Sequence, residues 1–250
     1  IQTHYPMDRD LGIEITRAEA LRTEGHTDDG TDGALAKRYP VLVSRFMAEI
    51  VEQMGGNLDA IVLGVGSSGT VTGIGNYLRD NAPNVDMILA DPVGSILTDY
   101  INKGEIGESG SWLVEGIGED FIPDIADFDG VAKAYAISDA EALATARDLL
   151  RKEGVLAGSS SGTLLAAALK YCREQTEAKT VVTFACDTGN KYLSKLYNDF
   201  WLEDQGFITR EQCGDLRDLI GRPHGERATI TIGPTDVLTT AHNRLRNAGF

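Results

Sequence analysis

Residues 59–75 read DAIVLGVGSSGTVTGIG, and this stretch decides the fold of the surrounding chain. The apolar run 61–63 is typical of a buried strand, and a glycine-rich loop, 64–69, follows it. Thr70 then opens a segment whose apolar residues recur at helical spacing. A strand, a glycine loop and a helix in this order aim backbone N–H groups at an anion, and the helix N-terminus adds partial positive charge. The hydroxyl groups of the loop suit a phosphate monoester.

The same stretch fits a second chemistry. Gly64, Gly66 and Gly69 satisfy G-x-G-x-x-G, the dinucleotide fingerprint. Asp91 closes the next apolar run near the place expected for a ribose-binding acid. A tight turn without any ligand also fits the pattern. The glycines alone therefore leave three interpretations open: a phosphate monoester site, a dinucleotide site and a bare turn.

The composition of the chain argues against several classes of protein. Its 250 residues are 42% hydrophobic and 24% charged, which is typical of a soluble globular protein. The net charge of −15 argues against a nucleic-acid partner, because no basic surface could dominate. No apolar run approaches the roughly 20 residues that a membrane span needs, so we expect no membrane partner. Three scattered cysteines favour a cytoplasmic setting, and four scattered histidines lack the spacing of a metal site.

Strand and helix patterns alternate along the middle of the chain. Predicted strands lie at 59–63, 87–89, 132–137 and 181–185, and predicted helices at 43–54, 70–78, 96–103, 139–153, 163–172 and 192–200. This alternation predicts an α/β fold with a parallel sheet covered by helices on both faces. In such sheets, ligands bind beyond the carboxyl ends of the strands.

Small-residue loops recur at the predicted strand ends. The segments 64–69, 158–162 and 187–189 are each expected to follow a strand, and 116–118 adds a backbone stretch with little side-chain bulk. A single such loop is best explained as a turn. Three of them in one sheet are better explained by one site, lined by hydroxyl groups and backbone N–H groups.

Four segments, in this order and spacing, resemble the pyridoxal-phosphate enzymes of the cysteine synthase and cystathionine β-synthase group. They are GVGSSGTVTG (64–73), EGIGEDFIP (115–123), EGVLAGSSSGT (153–163) and CDTGNKY (186–192). The resemblance runs from about Ala48 to about Phe207. It implies the three-layer parallel sheet of the tryptophan-synthase-β-like kind (PLP fold type II) and pyridoxal 5′-phosphate as the cofactor.

The resemblance also implies a role for individual residues. The cofactor phosphate would be held by Gly66, Ser67, Ser68, Gly69 and Thr70. The hydroxyl of Ser160 would hydrogen-bond the pyridine nitrogen, with Asp187 and Thr188 as neighbours of that ring edge. The substrate side would be lined by Gly116, Ile117, Gly118 and Glu119, where some relatives carry Tyr or Ala in place of Glu119.

The two ends of the chain extend the resemblance. The tail ITIGPTDVLTTAHNRLRNAGF (230–250) is similar to the first half of a regulatory repeat that binds adenosine nucleotides in cystathionine β-synthases. We expect a remnant of a smaller N-terminal domain at 1–40, the cofactor-binding α/β domain at 41–206, and a linker with the half repeat at 207–250. A homodimer is expected for the intact protein.

The resemblance implies a β-replacement reaction on small amino acids, in which serine and homocysteine condense to cystathionine. Cysteine synthase (O-acetylserine sulfhydrylase) is the alternative within the group. A nicotinamide-binding oxidoreductase and a non-catalytic nucleotide sensor are the alternatives from other classes.

One departure from the family limits these expectations. The Ser-x-Lys-Asp-Arg-like stretch that carries the cofactor-binding lysine does not occur in the sequence, nor does the Thr-Ser-Gly-Asn-Thr-Gly loop that binds the substrate carboxylate. The lysines present are expected at the surface. We therefore expect the chain to be a fragment or to lack internal segments, to contain no catalytic lysine, and to be inactive alone.

Overall fold

Four parallel strands form one sheet at the centre of the protein. The structure, a computed structural model, describes Val43 and residues 46–209. The strands are β1 (Ala60–Leu63), β2 (Asp86–Pro92), β3 (Val131–Ile137) and β4 (Val181–Thr183), in the spatial order β3-β2-β1-β4. Every pairing in the sheet is parallel. The predicted α/β fold with a parallel sheet is confirmed.

Helices connect the strands and flank the sheet. They are α1 (46–53), α2 (Gly69–Asn81), α3 (Leu97–Lys103), α4 (Asp139–Glu153), α5 (Ser159–Glu174) and α6 (Asp199–Asp204), with a 3-10 turn at Gly189–Tyr192. Gly104 and Gly154 end α3 and α4 as predicted, with φ angles of 73° and 70°. These are left-handed conformations that glycine adopts without steric cost.

The side chains of β1 alternate between the two faces of the sheet, and each face carries a buried core. Ile61 and Leu63 pack with buried residues of α1 and α2. Ala60 and Val62 pack on the opposite face with buried residues of α4 and α5. A strand that is buried on both faces must be apolar throughout, which explains the run at 61–63. The core therefore has three layers, with helices on both sides of the sheet.

The predicted loop at 158–162 is wrong. Gly158 is the N-cap residue of α5, and the following serines already form the first helical turn. The segment also follows α4 in the chain, not a strand. Serine hydroxyls usually compete with a helix by bonding to their own backbone. Here the Ser159 hydroxyl instead accepts a hydrogen bond from the backbone N–H of Glu115, at 3.1 Å, so the helix can begin at once.

The helix predicted at 192–200 is also wrong. The chain makes the short 3-10 turn, and α6 begins only at Asp199. Asn198 causes this late start, because its side chain accepts hydrogen bonds from the backbone N–H groups of Phe200 and Trp201. An asparagine that caps these N–H groups fixes the N-terminus of a helix at its own position. The last strand is shorter than predicted as well, since β4 ends at Thr183.

Two predicted regions fall largely outside the described residues. They are the N-terminal remnant at 1–40 and the linker with the half repeat at 207–250, of which only 207–209 are described. Within the described part of the chain, no helix combines the length and the apolar character required to cross a membrane.

Candidate functional site

A cavity of about 920 Å³ lies beyond the carboxyl ends of β1 and β4. Its walls are formed by 66–71, 115–117 and 184–187, together with Ser160, Leu164, Lys191 and Tyr192. Three of the four resembling segments contribute a wall, and the fourth contributes Ser160. The position agrees with the rule that ligands of parallel sheets bind at the carboxyl edge.

The first wall is the glycine loop that leads into α2. Ser68, the N-cap residue of this helix, has a φ angle of 68° and makes no side-chain capping bond. It is the one non-glycine residue with a positive φ in the described part of the chain. Its hydroxyl oxygen is buried, and no hydrogen-bond partner reaches it from the described residues. A strained backbone and an orphaned buried hydroxyl at one residue indicate a functional position.

The start of α2 also offers backbone donors. The first turn of the helix contains no acidic residue. The leading N–H groups of any helix lack partners within the helix, and its dipole places partial positive charge there. Gly69, Thr70 and Val71 supply these N–H groups at the cavity wall. The loop is therefore suited to an anion with several oxygen atoms.

The second wall packs directly against the first, backbone against backbone. A Cβ atom added to Gly66 would lie 3.0 Å from the carbonyl oxygen of Gly116, and one on Gly64 would lie 2.7 Å from a methyl group of Ile117. The N–H of Gly118 donates to the carbonyl oxygen of Val65 at 2.8 Å. This close approach requires Gly64 and Gly66, whereas Gly116 and Gly118 have positive φ angles of 87° and 91°.

The substrate-side prediction is only partly matched by the structure. Gly116 and Ile117 line the cavity, but Gly118 and Glu119 do not. Gly118 packs against the Trp112 ring. The N–H of Glu119 donates to the hydroxyl of Ser95 at 3.0 Å, which holds this residue beside α3. Burial raises the pKa of the Glu119 carboxyl, and the nearby carboxylates add to this effect.

The third wall joins α5 to the segment after β4. Ser160 is buried in the first turn of α5 and lines the cavity, as does Cys186. Asp187 also lines the cavity, whereas Thr188 is exposed and caps the 3-10 turn. The structure thus brings Ser160 and the glycine loop 66–70 to one cavity, together with Asp187 but without Thr188.

Tyr192 and Asp187 form a buried polar pair in this wall. The hydroxyl of Tyr192 donates to Oδ2 of Asp187 at 2.9 Å. Burial, followed by this bond to a carboxylate, raises the pKa of Tyr192 to about 12. Oδ1 of Asp187 is buried and has no hydrogen-bond partner among the described residues. The ammonium group of Lys191 lies 3.7 Å from Oδ2 and is largely exposed.

Four wall residues with titratable side chains have no predicted role: Glu115, Cys186, Lys191 and Tyr192. The carboxylate of Glu115 pairs with the ammonium of Lys195 at 2.6 Å. All four lie inside the resembling segments, so the motifs contained the signal that could have found them.

Asp91 does not have the position that a dinucleotide site requires. Its side chain is buried, with 1% exposure, and accepts hydrogen bonds from the N–H and the hydroxyl of Thr98 at 2.9 and 2.8 Å. Burial raises the pKa of this carboxyl. Asp91 thus holds the first turn of α3 and is absent from the cavity wall.

A glycine loop at a helix N-terminus, set at the carboxyl edge of a parallel sheet, defines an α/β protein of the kind that binds phosphorylated small molecules. Comparison with known proteins narrows this class. The family model of pyridoxal-phosphate dependent enzymes matches residues 39–187. The chain belongs to this family, within the group of cystathionine β-synthases and cysteine synthases. Pyridoxal phosphate is the cofactor of these enzymes.

Individual relatives show how far the similarity extends. The cystathionine β-synthase of Apis mellifera is 41% identical over 160 residues, which are 64% of this chain and 31% of the relative. The enzyme of the same name from Mus musculus is 39% identical over 206 residues, or 81% of this chain and 36% of the relative. A cysteine synthase of Helicobacter pylori is 41% identical over 147 residues, or 59% and 46%.

A solved structure supports the same grouping. The O-acetylserine-dependent cystathionine β-synthase from Helicobacter pylori matches with a TM-score of 0.56 and 38% identity, over 63% of this chain and 49% of that chain. This chain spans about a third of the length of the cystathionine β-synthases it matches.

Proposed function

We propose that the cavity binds pyridoxal phosphate, with its phosphate on loop 66–70 and its pyridine nitrogen at Ser160. The observation that carries this proposal is the orphaned, buried hydroxyl of Ser68 at the start of α2, in the same cavity as Ser160. A phosphate ester supplies the oxygen partners that this hydroxyl and the free N–H groups of α2 lack. The residues present therefore fit the cofactor.

Charge determines which helix start receives the phosphate. Two helices, α2 and α5, begin at the cavity. The Asp187 carboxylate lies against Gly158, the N-cap residue of α5, so this helix start already has an anion beside it. The start of α2 has no acidic residue in its first turn. The start of α2 would therefore hold a dianionic phosphate, and Ser160 of α5 would bind the pyridine ring.

Each wall then contributes in its own way to cofactor binding. The neutral hydroxyl of Ser160 hydrogen-bonds the pyridine nitrogen without forcing it to carry a proton. Gly116, which has no side chain, lines the cavity beside Ile117 and leaves room for a planar ring. Pyridoxal phosphate, when bound, supplies an electron sink for carbanion chemistry at the α-carbon of an amino acid. The protein supplies binding, orientation and exclusion of water.

For the protein that carries this chain, we propose a β-replacement reaction: serine and homocysteine condense to cystathionine and water. The similarity to cystathionine β-synthases supports this reaction. The decisive measurement is the visible absorption of the full-length protein with pyridoxal phosphate, before and after serine is added. A bound-cofactor band that shifts with serine, with cystathionine formed when homocysteine follows, is expected. The absence of both the band and the shift would contradict the proposal.

A second substrate pair has its own support. One relative is a cysteine synthase, and the matched solved structure is described as O-acetylserine-dependent. Turnover should therefore be compared with serine and O-acetylserine as first substrates, and with homocysteine and sulfide as second substrates. Cysteine formed from O-acetylserine and sulfide, with no cystathionine from serine, would favour the cysteine synthase activity.

Ser160 provides the sharpest test of the binding geometry. We expect Ser160→Ala to fold and to lose most activity in the full-length enzyme. Ser160→Asp should shift the bound cofactor toward its protonated form, because a carboxylate favours a pyridinium. Absorption spectra and turnover of both variants measure these effects. Unchanged spectra and turnover in both would remove Ser160 from the cofactor site.

A further inference from the structure

Three consecutive serines begin α5, and all three are buried, with exposures of 2%, 5% and 2%. Their hydroxyls have different partners. Ser159 accepts the backbone N–H of Glu115 at 3.1 Å, and Ser161 accepts the backbone N–H of Cys186 at 2.9 Å. Ser160, between them, lines the cavity. The flanking serines thus reach two different walls of the cavity from the helix that carries the ring-binding serine.

A further bond lies beside the wall at 184–187. The hydroxyl of Tyr192 donates to Oδ2 of Asp187 at 2.9 Å, and both residues line the cavity. The two serine hydroxyls therefore connect the first turn of α5 to the wall at 115–117, through Ser159, and to the wall at 184–187, through Ser161.

We propose that Ser159 and Ser161 are positioning residues that hold these two walls at the spacing required by the pyridine ring. The inference rests on the proposed function, since the ring is that of pyridoxal phosphate. The wall at 184–187 leaves the sheet after Thr183, where β4 ends. The Ser161 bond then holds it to α5, together with the backbone bond from the N–H of Gly158 to the carbonyl oxygen of Asp187, at 3.1 Å. The phosphate loop has no bond to either serine, so its anion site is independent of them.

Removal of the Ser161 hydroxyl has a defined physical consequence. The N–H of Cys186 loses its acceptor within the protein. Because this residue is exposed, its N–H bonds to water instead, and the wall is free to shift toward solvent. The ring then binds less tightly, while the phosphate group keeps all of its contacts. We expect Ser161→Ala to weaken pyridoxal phosphate binding roughly tenfold and to leave the affinity for inorganic phosphate unchanged.

The test compares ligand affinity with local hydrogen exchange in the 250-residue chain. Titrations with pyridoxal phosphate and with inorganic phosphate give the two dissociation constants for the wild type, Ser159→Ala and Ser161→Ala. Amide exchange in the absence of ligand is followed at Glu115 and Cys186. Ser138→Ala is the matched control, because it removes a hydroxyl that caps α4 outside the cavity. Ser161→Thr, which keeps the hydroxyl, should restore binding.

The expected result is faster exchange at Cys186 in Ser161→Ala, faster exchange at Glu115 in Ser159→Ala, and a selective loss of pyridoxal phosphate affinity in both. Ser138→Ala should change none of these. Wild-type affinity for pyridoxal phosphate in both folded alanine variants would overturn the inference. If Ser161→Ala does not fold, Ser161→Cys replaces the strong acceptor by a weak one and is judged by the same affinities. Failure of the wild type itself to bind pyridoxal phosphate would contradict the proposed function instead, whatever the exchange data show.

Discussion

Gly162 lies where α5 packs against α4, and replacing it by alanine tests how the helix that carries Ser160 is held. A Cβ atom at this position would overlap the carbonyl oxygen of Ala142 and would lie 2.8 Å from the Cβ atom of Ala146. The Ala142 oxygen belongs to the backbone, and the Ala146 Cβ atom cannot rotate away. The two helices must therefore separate, and the first turn of α5, with its serines, moves with them.

The magnitude follows from two opposing effects. Overpacking in a rigid core costs about 1–3 kcal/mol, and a collision with a backbone carbonyl belongs at the upper end. Alanine in a helix interior recovers about 1 kcal/mol relative to glycine. We expect Gly162→Ala to lower the free energy of unfolding by about 2 kcal/mol, which corresponds to a fall in Tm of roughly 4–8 °C for a chain of this size.

Gly75→Ala is the matched control for this prediction. Gly75 also lies inside a helix, α2, but its added Cβ atom would meet the mobile end of Met87 at 3.2 Å. The flexible methionine can yield, so the gain in helix propensity dominates and the variant should be as stable as the wild type or more stable. Urea unfolding of both variants gives the difference. Equal stability of Gly162→Ala and Gly75→Ala would refute the claim that α4 and α5 meet at backbone distance.

Three further predictions address the cavity. Gly69→Val should abolish binding of both pyridoxal phosphate and inorganic phosphate in titrations of the 250-residue chain, because a β-branched side chain blocks the approach of an anion to the start of α2; retained phosphate binding would place the anion elsewhere. Tyr192 stabilises the fold below pH of about 10, where an unfolded tyrosine keeps its proton, and this contribution is lost as pH rises toward its folded pKa of about 12. The free energy of unfolding of Tyr192→Phe should therefore fall less steeply with rising pH across this range than that of the wild type. Equal slopes for the two proteins would contradict the assignment. NADH should produce no saturable fluorescence change, and saturable binding that a bulky residue at Gly66 abolishes would restore the dinucleotide interpretation.

The parts of the fold that follow from local patterns could be predicted from the sequence. The apolar run of β1 predicts a strand buried on both faces, and both faces of β1 are covered. Ser138 at the start of α4 and Gly154 at its end predict the bounds of that helix, because capping and left-handed termination depend on single residues. The grouping of the small-residue segments around one cavity follows from the carboxyl-edge rule.

The remaining features depend on partners far away in the sequence. Ser159 and Glu115 are 44 positions apart, and Ser161 and Cys186 are 25 apart, so no local pattern predicts these bonds. Without these bonds, a run of serines predicts a loop, and for this reason the start of α5 differs from the prediction. The position of Glu119 also depends on a distant residue, because its hydrogen bond to Ser95 holds this segment away from the cavity.

The glycine fingerprint of residues 64–69 is shared by dinucleotide sites and phosphate monoester sites, and residues outside it distinguish the two. A dinucleotide site needs a free carboxylate at the end of the next strand, where it meets a ribose. Asp91 has that position in the sequence, but Thr98 occupies its Oδ2 atom through two hydrogen bonds. A pyridine ring needs a donor or acceptor across the cavity from the anion, and Ser160 lies in that wall. The start of α5 therefore distinguishes the two kinds of site. It presents Ser160 to the cavity and has the Asp187 carboxylate beside Gly158, an arrangement that favours a pyridine ring over a dinucleotide.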